Sequence, residues 1–310
     1  MGVKKVFIDG SAGTTGLQIR ERLACRDDLE LIILSETQRK DVAARREALN
    51  AADVAFLCLP DAAAIESVSL LENSRTIVID TSTAHRTAED WVYGFAELDA
   101  GAQRGRIAVA KRIANPGCHA SGFIALIEPL VRTGIVSPDE KLCAFSLTGF
   151  SGGGKKMIAD YEVQLKSESS NLYLGGRQYA LGQAHKHLPE MVKVCGLKWA
   201  PCFSPIVVPH YSGMETTVQL FGKSVAQLKA CYRSYYAEGG LVHFKEDPSE
   251  GGILSSAALM GRDDMEISVY GTDDRALVVA RFDNLGKGAS GAAIQNMNIA
   301  LGCDEKKGLK

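Results

Sequence analysis

Several things are missing from this 310-residue chain, and each absence closes off a class of function. No apolar stretch reaches the ~18–20 residues that a membrane span needs. The chain passes from Met1 into Val6-Phe7-Ile8-Asp9-Gly10 without a long apolar segment, so no secretory signal is expected. The formal net charge is only -2, which gives no electrostatic case for a nucleic-acid or membrane partner. The basic clusters Arg39-Lys40, Arg45-Arg46 and Lys155-Lys156 are short, and such clusters are ordinarily solvated faces. Eight cysteines are present, at 25, 58, 118, 143, 195, 202, 231 and 303, yet they form no CxxC pair and no tight framework. Several lie in apolar strings, as buried thiols of a reducing compartment do, rather than in disulfides or zinc sites. The expected location is cytoplasmic. There is also no internal repeat and no low-complexity linker.

What is present is an ordinary globular composition, 46% hydrophobic and 23% charged, at a length that suits two domains. Residues 3–9 read as a strand. The turn Gly10-Ser11-Ala12-Gly13-Thr14-Thr15-Gly16 follows at once, and Gly16, Ile19 and Leu23 recur at helical spacing. Strand, glycine turn and helix open a dinucleotide-binding fold. Further strands are expected at 29–34, 53–59 and 76–80, apolar on both faces as buried parallel strands are. Beyond residue 118, segments 142–148, 204–209, 216–221, 266–270 and 276–282 alternate more and suit a mixed or antiparallel sheet. The expected architecture is an α/β Rossmann-like dinucleotide-binding domain over 1–117 and an α+β catalytic and oligomerisation domain over 118–286. A C-terminal helix at 287–303 returns to the first domain.

Glycines 10, 13 and 16 let the backbone approach a pyrophosphate, and the helix behind them offers free N–H groups and a positive dipole end. Ser11, Thr14 and Thr15 belong to the same cofactor turn, and Pro60 and Ser82 to the same expected site. An NAD enzyme usually carries an acid at the end of the second strand. Here that strand ends in Ser35, with Glu36 next and Arg39 and Lys40 close behind. Ser35, Arg39 and Lys40 suit the 2′-phosphate of NADP(H); the alternative is that Arg39 and Lys40 only solvate a loop.

Cys118 differs from the other cysteines in following Asn115-Pro116-Gly117 and opening a helix, with Ala120, Phe123, Ile124, Ile127, Leu130 and Val131 on its apolar face and Gly134 as its stop. A helix N-terminus favours the thiolate, which is the nucleophilic form. The loop Ser151-Gly152-Gly153-Gly154-Lys155-Lys156, preceded by Gly149, offers N–H and ammonium groups to a phosphate, or is simply a glycine turn between surface lysines.

The strings FIDGSAGTTGLQI (7–19), DTSTAHR (80–86), WVYGFAEL (91–98), NPGCHASG (115–122), GFSGGGKKMI (149–158), AHKHLPEM (184–191) and DNLGKGASGAAIQNMN (283–298) span nearly the whole chain. In this order they resemble the N-acetyl-gamma-glutamyl-phosphate reductase family, of the shorter type, within the semialdehyde dehydrogenase superfamily. The resemblance implies reduction of that acyl phosphate to the semialdehyde in arginine biosynthesis, with NADP(H) and no metal. It places the nucleophile at Cys118 and the acid/base at His185, with His187 and Glu190 completing the H-x-H-x-P-E motif as substrate-positioning residues. Asn284 falls where the superfamily contacts the nicotinamide.

The chain also departs from the family pattern. His119-Ala120 stands where Tyr-Pro is usual, Thr148 precedes Gly149 where serine is expected, and Ile206 stands where longer members carry histidine, with His210 nearby. Among His185, His187 and His210 the acid/base stays open on sequence. The chemistry asks for the nucleophile near the hydride donor, at the seam between domains, and Cys118 lies at the expected boundary. The expected partners are a small-molecule acyl phosphate and further copies of the chain, as a homodimer or homotetramer. Two other readings stand beside this one: a sister enzyme acting on another acyl phosphate, such as an aspartate-semialdehyde dehydrogenase, and an NADP-binding regulator without catalysis.

Overall fold

A computed structural model describes residues 2–167, 171–237 and 239–310. The chain divides into two compact units. The first takes residues 1–96, 104–116 and 289–309, and the second residues 97–103 and 117–288 with Lys310.

In chain order, the elements of the first unit are β1 (Lys4–Asp9), α1 (Thr14–Leu23), β2 (Leu29–Ile32), α2 (Val42–Ala51), β3 (Val54–Leu57), α3 (Asp61–Ser69), β4 (Ile77–Asp80), β5 (Val92–Tyr93), α4 (Gln103–Val109) and β6 (Arg112–Ala114), closed by the C-terminal helix Gly291–Ala300. The six strands lie in the order β2-β1-β3-β4-β6-β5. Every pairing is parallel, with Val6 opposite both Leu31 and Val54. Successive side chains of a strand point to opposite faces, and here both faces are dry. Val6, Ile8, Val54, Phe56, Ile77 and Ile79 pack with Ile19 and Leu23 of α1 and with Ala293, Ile294 and Met297 of the C-terminal helix. Phe7, Ala55, Leu57 and Val78 pack the other way, against Ala48 and Leu49 of α2 and Ala64 of α3. Covering on both faces explains why these strands read as unbroken apolar runs rather than alternating ones. Each of the buried valine, leucine, isoleucine, phenylalanine and methionine side chains contributes about 1.5–3 kcal/mol. The short strands β5 and β6 gave no run of that kind and were not expected.

The second unit contains α5 (Cys118–Arg132), β7 (Cys143–Gly149), α6 (Gly154–Gln164), α7 (Asn171–Leu174), β8 (Arg177–Gln178), α8 (Leu188–Cys195), β9 (Cys202–Val208), β10 (Met214–Phe221), α9 (Val225–Tyr235), β11 (Val242–Phe244), β12 (Met265–Thr272) and β13 (Arg275–Phe282). Its seven strands lie in the order β11-β12-β13-β10-β7-β9-β8. The sheet is mixed: β7 runs parallel to β9 and β11 to β12, and the other neighbours are antiparallel. The two-layer α+β character matches the alternating pattern of its strands.

Helix α5 packs on β10 and β13. One face was expected to be apolar, but every residue from His119 to Leu130 is buried, because α8 and α9 also lie against it. Gly122 allows the close approach: a Cβ there would stand 2.4 Å from Thr216 Oγ1. Gly134, at φ +73°, follows the helix end as expected.

A buried ion pair also ties the second unit together. Lys287 Nζ lies 2.6 Å from Glu97 Oε2, with both side chains almost fully enclosed. The other carboxylate oxygen accepts the Leu241 N–H at 2.9 Å. Removing one charge leaves the other in a low-dielectric interior without this counter-charge. Lys287→Met should therefore lower stability by about 3–5 kcal/mol, read as a shift in the urea midpoint; an unchanged midpoint would show that water reaches the pair.

Candidate active site

Within the second unit, the Gly117 backbone is extended and Cys118 is the first residue of α5. Cys118 therefore sits among the N–H groups that a helix leaves unpaired, at the positive end of its dipole. The Gly117 N–H donates to Glu190 Oε2 at 3.1 Å. Glu190 is buried in the first turn of α8, so the bond anchors the nucleophile's turn to the helix that begins within the H-x-H-x-P-E motif. Gly288 gives Cys118 room, since a Cβ there would lie 3.0 Å from the cysteine Cβ.

His187, directly before α8, donates its backbone N–H to His185 Nδ1 at 3.1 Å. The two rings meet edge to face at 4.7 Å. Neutral His185 thus keeps its Nδ1 as an acceptor and carries its proton on Nε2. Tyr179 Oη lies 3.5 Å from that Nε2 and 2.7 Å from His119 Nε2. Burial first, then the neighbouring Cys118, push the Tyr179 phenol up. Cys118, His185, His187 and Glu190 are thus gathered at one place, with Tyr179 and His119 among them. Tyr179 was missed on sequence; its only signal was a position six residues before His185. His210 instead bonds Ser256 Oγ at 2.9 Å.

Four of the other cysteines are of a different kind. Burial pushes the Cys58 thiol up to about 12, and it also raises Cys143, Cys195 and Cys231. A raised thiol carries less of the nucleophilic thiolate at neutral pH.

Gly149 packs where a Cβ would meet Tyr211 O at 2.5 Å, so the residue has to be glycine. Ser151 is buried and accepts from Asn284 Nδ2 at 3.0 Å, while Asn284 Oδ1 accepts the Gly213 N–H at 2.9 Å. Asn284 therefore braces the loop and keeps one Nδ2 proton to spare. Lys155 and Lys156 are exposed in the first turn of α6, which carries no acidic residue there. Thr148 donates to the Gly149 carbonyl at 3.3 Å.

In the first unit, Gly10 has φ +86°, and a Cβ on it would lie 2.2 Å from Cys58 O. Gly13 precedes α1 and bonds back to the Gly10 carbonyl at 3.0 Å. Ser11, Thr14, Thr15 and Gly16 complete this turn into the helix. Gly10 and Ser11, with Arg20, Arg39 and the end of β2, line a small cleft. Its glycine backbone and two guanidinium groups are donors of the kind that a phosphate-bearing cofactor needs. Arg20, one helical turn beyond Gly16, was not singled out on sequence. Ser35 bonds Thr37 Oγ1 at 3.1 Å, and Arg39 Nε donates to the Leu34 carbonyl at 3.2 Å. Lys40 is exposed and lies outside the cleft lining.

Arg45, read above as part of a solvated cluster, is buried and bonds Asp9 at 3.1–3.2 Å. It neutralises the one acid in the lining of the cleft. Pro60 is exposed just before α3, and Ser82 donates to the buried Asp80 at 2.7 Å. Among the described residues no group of three or more His, Cys, Asp or Glu side chains is arranged to hold a metal ion, and no helix is long and apolar enough to cross a membrane.

Comparison with known proteins agrees with this geometry. Residues 5–104 match the family model of the semialdehyde dehydrogenase NAD binding domain, and residues 118–284 that of the semialdehyde dehydrogenase dimerisation domain. N-acetyl-gamma-glutamyl-phosphate reductase 2 of Nostoc sp. is 43% identical, with all of both chains covered. The N-acetyl-gamma-glutamyl-phosphate reductase of Brucella anthropi is 46% identical over 96% of this chain and 98% of its own. Among solved structures, aspartate semialdehyde dehydrogenase II of Vibrio cholerae superposes with a TM-score of 0.73 at 15% identity, covering 97% of this chain and 99% of that one. Aspartate semialdehyde dehydrogenase of Candida albicans, solved with NADP, gives 0.66 at 16%, covering 96% and 99%. At such identities these two speak for the fold alone. The chain belongs to the semialdehyde dehydrogenase family and, within it, to the N-acetyl-gamma-glutamyl-phosphate reductases, as the resemblance of its motifs implied.

If the Glu190 carboxylate holds the nucleophile's turn, Glu190→Gln should keep the bond through its amide oxygen. Glu190→Ala should leave the buried Gly117 N–H unpaired and cost about 1–3 kcal/mol. Equal urea midpoints for the two variants would contradict that role.

Proposed function

We propose that the chain reduces N-acetyl-gamma-glutamyl phosphate to N-acetylglutamate semialdehyde with release of phosphate, as an NADPH-dependent enzyme of arginine biosynthesis. The observation that carries the proposal is Cys118 at the first position of a buried helix, with His185, His187 and Glu190 gathered around it.

The Cys118 thiolate attacks the acyl carbon, the C–S bond forms, and the C–O bond to phosphate breaks to give a thioester. Lys155 and Lys156 in the first turn of α6 receive the departing phosphate, as a helix start with two cations and no acid suits an anion. NADPH, when bound, supplies the hydride that reduces the thioester. His185 Nε2–H donates to the oxygen of the resulting thiohemiacetal, and His187 and Glu190 hold the imidazole and the cysteine turn in place. Breaking the C–S bond releases the aldehyde and returns the thiolate.

The glycine turn with Ser11, Thr14 and Thr15 would hold the cofactor pyrophosphate. Ser35 and Arg39, with Arg20, would hold the 2′-phosphate, and Asn284 would meet the nicotinamide with its spare proton. Lys40 contributes charge from the edge, and Pro60 and Ser82 shape the ends of β3 and β4. The first unit, with the C-terminal helix, is the cofactor domain, and the second unit is the catalytic domain.

Assembly as a homodimer or homotetramer would use the face of the second sheet turned away from α5. Phe145, Leu147 and Ile206 are half-buried there. The free cysteines suit the reducing cytoplasm.

The test is the reverse reaction: purified protein with phosphate, NADP or NAD, and either N-acetylglutamate semialdehyde or aspartate semialdehyde, followed by absorbance of the reduced cofactor. The N-acetyl substrate with NADP should win, and His185→Asn should slow turnover by ~10²–10⁴-fold. Arg39→Leu should erode the preference for NADP by about tenfold to a hundredfold. Turnover of aspartate semialdehyde at an equal or higher rate would move the chain to the sister activity. No turnover of either, with cofactor still bound, would favour a regulator.

A further inference from the structure

His119 stands next to the nucleophile in sequence and is buried beneath it. Its Nδ1 lies 2.8 Å from Ser146 Oγ, which lies 2.9 Å from Thr216 Oγ1. Its Nε2 lies 2.7 Å from Tyr179 Oη, which lies 3.5 Å from His185 Nε2. A continuous row of polar atoms thus runs from the sheet, through His119 and Tyr179, to His185.

The direction of the protons along this row follows from its ends. His185 Nδ1 accepts the His187 N–H, so the proton of neutral His185 is on Nε2, facing Tyr179 Oη. The phenolic proton must then point elsewhere, and the nearest acceptor is His119 Nε2. His119 in turn carries its own proton on Nδ1 and donates it to Ser146, which donates to Thr216. Burial first, then the neighbouring His185 and Lys186, hold His119 well below the ordinary imidazole range, so it remains the neutral ring that this arrangement needs. The titratable groups facing His119 are Tyr179, His185, Lys186 and His187 from residues 179–187, and Cys118 on its own helix. Ser146 and Thr216 are fully buried, so the row ends in the dry interior and delivers no proton to solvent.

We infer that His119 is a positioning residue that takes the only proton of Tyr179 Oη and so turns the lone pairs of that oxygen toward His185 and Cys118. Tyr179 then serves the site only as an acceptor. In the reaction the single His185 Nε2–H leaves this long 3.5 Å contact for the reacting oxygen, while the phenolic proton stays with His119 and does not reach the Cys118 thiolate. This rests on Cys118 as the nucleophile of the proposed reaction.

The two ends of the imidazole can be separated by substitution. The amide of His119→Asn reaches the Nδ1 position and keeps Ser146, but it loses Tyr179. The amide of His119→Gln reaches the Nε2 position, where its oxygen can still accept from Tyr179. The readout is alkylation of the peptide containing Cys118 by iodoacetamide as a function of pH, measured by mass spectrometry without substrate or cofactor. In His119→Asn the freed phenolic proton should turn to the thiolate, lowering the alkylation midpoint by about one pH unit. Its kcat should fall by about tenfold with KM nearly unchanged. His119→Gln should match the parent in both. In a Tyr179→Phe background, His119→Asn should produce no further shift.

A parent-like midpoint in His119→Asn, an equal shift in His119→Gln, or a shift that persists without the phenol would overturn the inference. Should His119→Asn fail to fold, His119→Gln decides alone: a parent-like midpoint and turnover support it, and a shifted midpoint overturns it. Alkylation needs no acyl phosphate, so an error in the substrate would leave this result untouched.

Discussion

The candidate site depends on one buried hydrogen bond, from the Gly117 N–H to Glu190. It joins the turn that presents Cys118 to the start of α8, and the residues entering α8 are His185 and His187. The packing of α8 on α5 brings the nucleophile and the imidazoles together, and this bond fixes the cysteine turn itself against the start of α8. The burial of α5 makes the bond matter further. A helix enclosed from His119 to Leu130 cannot shift to satisfy an orphaned N–H, so the partner has to come to it. A carboxylate is the strong choice at that place, since it also lies near the positive end of the helix dipole.

The same enclosure explains the polar side chains beneath Cys118. An interior this dry tolerates His119, Ser146 and Thr216 only if they bond one another. The requirement is structural, yet it fixes where protons lie around the reacting sulfur. Stability and function meet here: the groups that make the helix acceptable in the core also decide which hydroxyl or imidazole faces the substrate as a donor.

Much of this was legible in the sequence, and the reason is local. Gly10, Gly13 and Gly16 follow a strand and open a helix, and Gly10 needs a backbone no other residue adopts easily. Cys118 follows Pro116-Gly117, and the apolar spacing of α5 is visible ahead of it. The parallel strands announced themselves as apolar runs because both their faces are covered. What was illegible depends on contacts distant in sequence. Arg45 looked like a surface arginine until the fold placed it against Asp9, and Arg20 gained meaning only when α1 brought it beside Arg39. Tyr179 is one aromatic among many until the chain from 177 to 187 folds over α5. The short strands β5 and β6 depend on their neighbours rather than on any pattern of their own.

The central claim is that Cys118 carries the acyl group. The most direct measurement mixes protein with N-acetyl-gamma-glutamyl phosphate in the absence of NADPH, then digests it and locates the acylated peptide by mass spectrometry. The adduct should map to Cys118 within NPGCHASG, with phosphate released in equal amount, and it should vanish in Cys118→Ser. An adduct on any other cysteine, or full turnover by Cys118→Ser, would contradict the account.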